Sequence, residues 1–120
     1  MQRNDSVITL LSDLVAIDSQ SHKGNREIIS YLSKLFPHYE QTRESWVRES
    51  DGVQGENLLV KIPGKNHEQS LVFVCHMDTV PTSSAWETDP FILEEKEGKL
   101  YGLGACDTKG GVAAVIEAAL

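Results

Sequence analysis

The spacing of apolar residues changes partway along this chain, and that change limits the fold more than any other feature. Val7, Leu10, Leu11, Leu14 and Ile17 recur at helical spacing behind Asp5 and Ser6 as capping candidates. Ile28, Ile29, Leu32, Leu35 and Phe36 repeat the pattern up to Pro37, which stops a helix. Core-facing stripes account for both helices without any functional role. Beyond them the apolar runs shorten. Strand-like segments lie at Ser45 to Arg48, Asn57 to Ile62 and Leu71 to Cys75, and the turn Pro63-Gly64-Lys65-Asn66 predicts that the last two pair in one sheet. Phe91 to Glu94 and Lys99 to Tyr101 flank Glu95-Lys96-Glu97-Gly98 as a hairpin with a charged tip, and Val112 to Leu120 reads as a buried helix with Glu117 its polar exception. Helices and strands in this order predict an α/β fold.

A chain of 120 residues, 40% hydrophobic, supports one core and is too short for two ordinary domains. Eighteen acidic against eleven basic residues give a net charge of −7 without long blocks, which argues against nucleic acid and anionic membrane surfaces and leaves cations and neutral or basic substrates open. The N-terminus is polar and Ser12 and Asp13 interrupt the apolar residues after it, so no signal peptide or membrane span is read there and a cytoplasmic protein is expected. Cys75 and Cys106 fit no zinc-finger or CxxC spacing and are expected to be reduced. The last run stops at Leu120 without a capping glycine, a basic last turn or a returning strand, so the chain is expected to be an N-terminal piece of a longer protein.

Two stretches carry chemistry. Val72-Phe73-Val74 lead into Cys75-His76-Met77-Asp78-Thr79-Val80-Pro81, which places polar residues at the end of an apolar run, where open α/β sheets bind ligands. Imidazole and carboxylate suit a borderline ion such as zinc, and a ligating histidine needs its second ring nitrogen held. On a straight strand Asp78 shares a side with His76, while Cys75 and Met77 face away. Alone, such an H-x-D triplet is more often a surface or turn pairing than a ligand pair. Asp107, between Gly102-Leu103-Gly104-Ala105-Cys106 and Thr108-Lys109-Gly110-Gly111, sits where glycines let backbone approach a bound group; it suits a carboxylate bridging two ions, or a cap on the helix that starts near Gly111. A nucleotide loop fails here, because Asp107 stands where a dinucleotide fingerprint needs glycine and Lys109 precedes its glycines instead of following them. Cys75 and Cys106 adjoin these residues, and strand alternation predicts that they point into the other layer as small apolar groups. His22, His38 and His67 lie in polar surroundings, expected to be exposed, with no spacing for a joint ligand set.

Several ordered boxes at matching spacing are more specific than any one of them. His76-Met77-Asp78-Thr79-Val80-Pro81, then Trp86 with Asp89-Pro90-Phe91, then Gly98 to Gly104 running into Asp107 and Lys109-Gly110-Gly111, together resemble the zinc metallohydrolase and metallopeptidase family of acetylornithine deacetylase, succinyl-diaminopimelate desuccinylase and aminoacylase. The likeness covers roughly residues 71–120, the N-terminal part of that family. Arginine is frequent there where this chain has Leu103, though leucine also occurs.

The resemblance implies a three-layer αβα catalytic domain around a central mixed sheet, of which residues 1–120 are the N-terminal portion, with any lid or dimerisation domain outside this chain. It implies that His76 ligates one zinc, that Asp78 orients and polarises His76 in catalysis, and that Asp107 bridges two metals; cobalt or manganese suits similar N/O sites. Trp86 and Phe91 are expected to pack their loop over the sheet. The activity implied is metal-dependent removal of an acyl group from a small N-acyl amino acid, first among them acetylornithine, with zinc activating water and a carboxylate base passing its proton to the leaving amine. A dipeptidase or carboxypeptidase of the same family is the alternative. So is a non-catalytic truncated fragment, because the general base, further acidic ligands and a distant histidine fall outside these residues and Glu117 reads as a partly solvated helix residue. The partners implied are a small N-acyl amino acid or short peptide, with a homodimer for the full-length protein.

Overall fold

A computed structural model describes residues 3–120, with side chains from residue 6 onward. Helices α1 (Arg3–Ala16) and α2 (Arg26–Lys34) form where the two apolar stripes predict them. Asp5 and Ser6 lie inside α1 instead of preceding it; the Ser6 hydroxyl donates to Glu117 Oε2 at 2.7 Å, tying α1 to α3 (Gly110–Ala119). The core is where these helices meet. Leu10, Leu11, Leu14 and Val15 of α1 pack with Ile28 and Leu32 of α2, Phe36 beyond it, and Val112, Ala113 and Ile116 of α3. Burying aliphatic side chains of this size stabilises by roughly 1.5–3 kcal/mol each.

Asn25, before α2, does not cap the helix with its side chain. Its amide instead completes the edge of a strand: Asn25 Nδ2 donates to the Glu56 carbonyl at 3.0 Å, and the Glu56 N–H donates to Asn25 Oδ1 at 2.8 Å. The carboxylate of Glu56 is buried beneath Arg43 and Arg26 and accepts from both guanidinium groups. The hydrogen bond from Arg43 is the main reason its pKa is lowered. Together these contacts fasten α2 to the hairpin below it.

That hairpin differs from the expected pairing. Strands β1 (Glu40–Val47) and β2 (Gln54–Lys61) run antiparallel from Glu40 opposite Lys61 to Val47 opposite Gln54, so β2 pairs with the strand before it and not with Leu71 to Cys75. A turn closed by the Arg48–Asp51 ion pair and by Gly52 at φ 75° brings the two together. Leu71 to Cys75 is irregular, because a strand needs a neighbour's N–H and C=O groups and none of the described residues supplies them. Val74 is 91% exposed as a result.

Strands β3 (Glu94–Lys96) and β4 (Lys99–Tyr101) form the second hairpin as expected. Glu97 and Gly98 at its tip both have positive φ, the backbone that two-residue hairpin turns require. Among the described residues the architecture is therefore mixed α/β with two separate two-stranded antiparallel sheets, not one central mixed sheet. The single parallel contact among the described residues is a bridge between Gln20 and Thr79, and it sets the position of the site.

Candidate metal centre

The segment after α1 lies along the H-x-D box as a splint. Thr79 N–H donates to the Ser19 carbonyl at 3.0 Å, and Ser21 N–H donates to the Thr79 carbonyl at 2.9 Å. The Ser19 hydroxyl donates to the Met77 carbonyl at 2.7 Å, and Thr82 N–H donates to Gln20 Oε1 at 2.7 Å. Met77, Thr79 and Thr82 are thus held by four hydrogen bonds, two of them to side chains, in place of those a regular strand would provide.

Asp107 reaches the same place from the other side. Residues Ala105–Lys109 form an irregular turn between β4 and α3, closed by Lys109 N–H donating to the Gly104 carbonyl at 2.9 Å. Gly104 is needed there twice over: its φ is 77°, and a Cβ on it would lie 2.7 Å from the Thr79 methyl. Close packing of two loops accounts for that glycine. Behind it the Lys109 side chain is 2% exposed, and its Nζ donates to the Ile17 carbonyl at 2.9 Å. Burial pushes the Lys109 pKa down to about 8. The carboxylate of Asp107 does not cap α3; it faces His76.

His76 Nε2 and Asp107 Oδ1 are 3.0 Å apart, and His76 Nδ1 is 3.0 Å from the Asp78 carbonyl oxygen. A carbonyl only accepts, so Nδ1 carries a proton and donates to it. An ionised carboxylate likewise only accepts, so Nε2 meets Asp107 with its own proton or with a cation between them. The hydrogen bond to Asp107 is the largest reason that the His76 pKa is raised above 6.5, with partial burial opposing it. Two donor atoms bound tetrahedrally to one zinc at about 2.0–2.2 Å lie about 3.3–3.6 Å apart, so the pair stands at hydrogen-bond spacing and a shift of a few tenths of an ångström would admit an ion. The held second nitrogen fits a ligating histidine.

Asp78 plays a slightly different part from the expected one. Its backbone carbonyl holds His76 Nδ1, while its carboxylate Oδ1 stands 3.4 Å from the same nitrogen and Oδ2 accepts from the Ser21 hydroxyl at 2.8 Å. His76, Asp78 and Asp107, together with Ser21, Thr79, Trp86 and the Gly102 to Cys106 segment, line an open cavity of about 350 Å³. Trp86 also lines a second cavity beside it, with Glu87, Glu94 and Tyr101, and so stands as a wall between the two.

Other expectations meet the structure unevenly. His22, His38 and His67 are exposed as read from the sequence, and Leu103 is buried in the core at 3% exposure. Cys75 and Cys106 are both free and both exposed. They do not point into a second layer, because the segments that carry them are not sandwiched between layers. Among the described residues no third His, Cys, Asp or Glu joins the pair to complete a metal-binding group. Ser21 escaped sequence reasoning, since a serine in a polar turn carries no spacing signal toward a residue 57 positions away.

An imidazole and a carboxylate converge at the mouth of a cavity, and residues 72–120 match the sequence profile of peptidase family M20/M25/M40. Over 113 residues, 92% of this chain, the sequence is 38% identical to the acetylornithine deacetylase of Myxococcus xanthus. It is 31% identical over 111 residues to the succinyl-diaminopimelate desuccinylase of Sulfurimonas denitrificans, again across 92% of this chain. The crystal structure of human carnosine dipeptidase 1 superposes with a TM-score of 0.83 at 27% identity, over 96% of this chain and 27% of that one. The chain spans 29% and 28% of the length of those two curated relatives.

Proposed function

We propose that the full-length protein is a zinc-dependent amidohydrolase that removes an acyl group from a small N-acyl amino acid, in the manner of an acetylornithine deacetylase. The observation that carries this reading is the 3.0 Å approach of His76 Nε2 to Asp107 Oδ1, with Nδ1 fixed by Asp78. His76 and Asp107 would hold one ion between them, and Asp107 has a second carboxylate oxygen for another. A bound divalent ion supplies Lewis acidity toward a carbonyl oxygen and toward water. Asp78 fixes the His76 ring so that Nε2 faces Asp107, and the exposed Asp107 carboxylate leaves the cavity open to a substrate.

On this reading residues 1–120 are the N-terminal portion of a three-layer catalytic domain, the remaining ligands and the general base come from elsewhere in the full-length protein, and the protein works in the cytoplasm as a homodimer. Likeness to a carnosine dipeptidase favours a dipeptidase as the second reading. Comparing N-acetylornithine, N-succinyl-diaminopimelate and a dipeptide on the zinc-loaded full-length protein separates them. Turnover of the acylated amino acids above the dipeptide supports the deacylase, the reverse order supports the dipeptidase, and no zinc-dependent turnover of any of the three contradicts both.

A further inference from the structure

Ser21 stands outside the sequence boxes that define the site, yet its side chain reaches into it. It lies in the turn after α1 and lines the same cavity as His76, Asp78 and Asp107. Its hydroxyl is 2.8 Å from Asp78 Oδ2 and 2.8 Å from the Thr79 carbonyl. One hydroxyl proton has two acceptors at equal distance, and the charged carboxylate makes the stronger bond. Backbone bonds keep the hydroxyl there: Ser21 N–H donates to Thr79, and Arg48 Nη2 donates to the Ser21 carbonyl at 3.1 Å. Arg48 is itself clamped by Asp51, so the hairpin turn between β1 and β2 braces Ser21 from behind.

The consequence falls on the orientation of Asp78. A carboxylate with neither oxygen fixed rotates about its last bond; with Oδ2 pinned by Ser21, Oδ1 stays turned toward the His76 Nδ1 edge at 3.4 Å. The Asp78 carbonyl that accepts from Nδ1 belongs to the same residue and is set by the same splint. We propose that Ser21 is a positioning residue of this centre, acting through Asp78 to hold the His76 ring with Nε2 toward Asp107. The proposal rests on reading His76 and Asp107 as metal ligands.

The test is zinc affinity of the full-length protein, measured by competition with a chromophoric chelator, for the wild type, Ser21→Ala, Ser21→Thr, Asp78→Ala and the Ser21→Ala/Asp78→Ala double variant. Groups that orient a ligating histidine typically contribute 10–100-fold in metal affinity, and one step further out the expected loss in Ser21→Ala is about three- to tenfold. Ser21→Thr keeps the hydroxyl and restores binding, and in the Asp78→Ala background the serine change has no further effect. A merely structural serine would give an additive loss in that background, which overturns the proposal. Wild-type affinity in Ser21→Ala, in a protein whose Asp78→Ala variant loses zinc, also overturns it while leaving the metal reading intact. Unchanged zinc binding in His76→Ala contradicts the metal reading itself. Should Ser21→Ala fold poorly, Ser21→Val, which matches the shape of Ser21→Thr without its hydroxyl, takes its place with the same expected outcomes.

Discussion

His76 Nε2 and Asp107 Oδ1 stand 3.0 Å apart across 31 positions of sequence, and something positive has to lie between them. In the structure that charge is a proton on the ring; on the proposed reading a metal ion would take the same place and compete with it. The proton gives the pair a pH dependence of definite sign.

The folded-state pKa of His76 is raised, chiefly by its hydrogen bond to Asp107. Stability from this pair in the metal-free protein is therefore fully present below pH 6.5, the ordinary value, and is lost as the pH rises through the raised one. Both side chains are more than half exposed, so solvent screening limits the effect to about 1 kcal/mol at most. Thermal unfolding of metal-free wild type and His76→Gln at pH 5.5 and pH 8 checks this: the wild-type advantage shrinks at the higher pH. If His76 ligates zinc as proposed, uptake is expected to follow the opposite course and to strengthen across the same window as the proton leaves.

Lys109 titrates with a different sign because burial, not a partner, sets its pKa. Depression from 10.5 to about 8 means that the unfolded chain holds the proton more tightly between those values, so stability increases with pH across that range. Urea unfolding at pH 7.5 and 9.5 is expected to show this gain in the wild type and to lose it in Lys109→Met, which keeps the buried stem and removes the amine.

Asn25 fastens α2 to β2 through two hydrogen bonds to the backbone of Glu56. Asn25→Ala leaves a part-buried N–H and carbonyl without that partner and is expected to lower stability by about 1–3 kcal/mol. Chemical denaturation measures the loss, and an unchanged midpoint would mean that the strand edge finds other partners.

How much of this was legible beforehand depends on where each element gets its stability. The helices were readable because Leu14, Ile28 and Ile116 recur on faces that meet in one core. Strand β1 was mostly missed: Glu40 to Glu44 carries no apolar alternation, being largely exposed, and is held by its partner β2 and by Arg43 over Glu56. Leu71 to Val74 misled in the other direction, since composition favours a strand that only neighbouring backbone can complete. The sequence singles out His76 and Asp107 because each sits in a short ordered box, and the structure brings the two side chains together. Ser21 and Lys109 were not assigned roles, because each acts through a contact 57 or 92 positions distant that no local pattern encodes.

The most direct test of the central claim is the zinc content and affinity of the full-length protein with His76→Ala and with Asp107→Asn, an isosteric change that removes the charge. Each is expected to lower affinity by more than the roughly 10–100-fold that outer partners of a metal ligand contribute. Wild-type zinc binding in both variants would contradict the account.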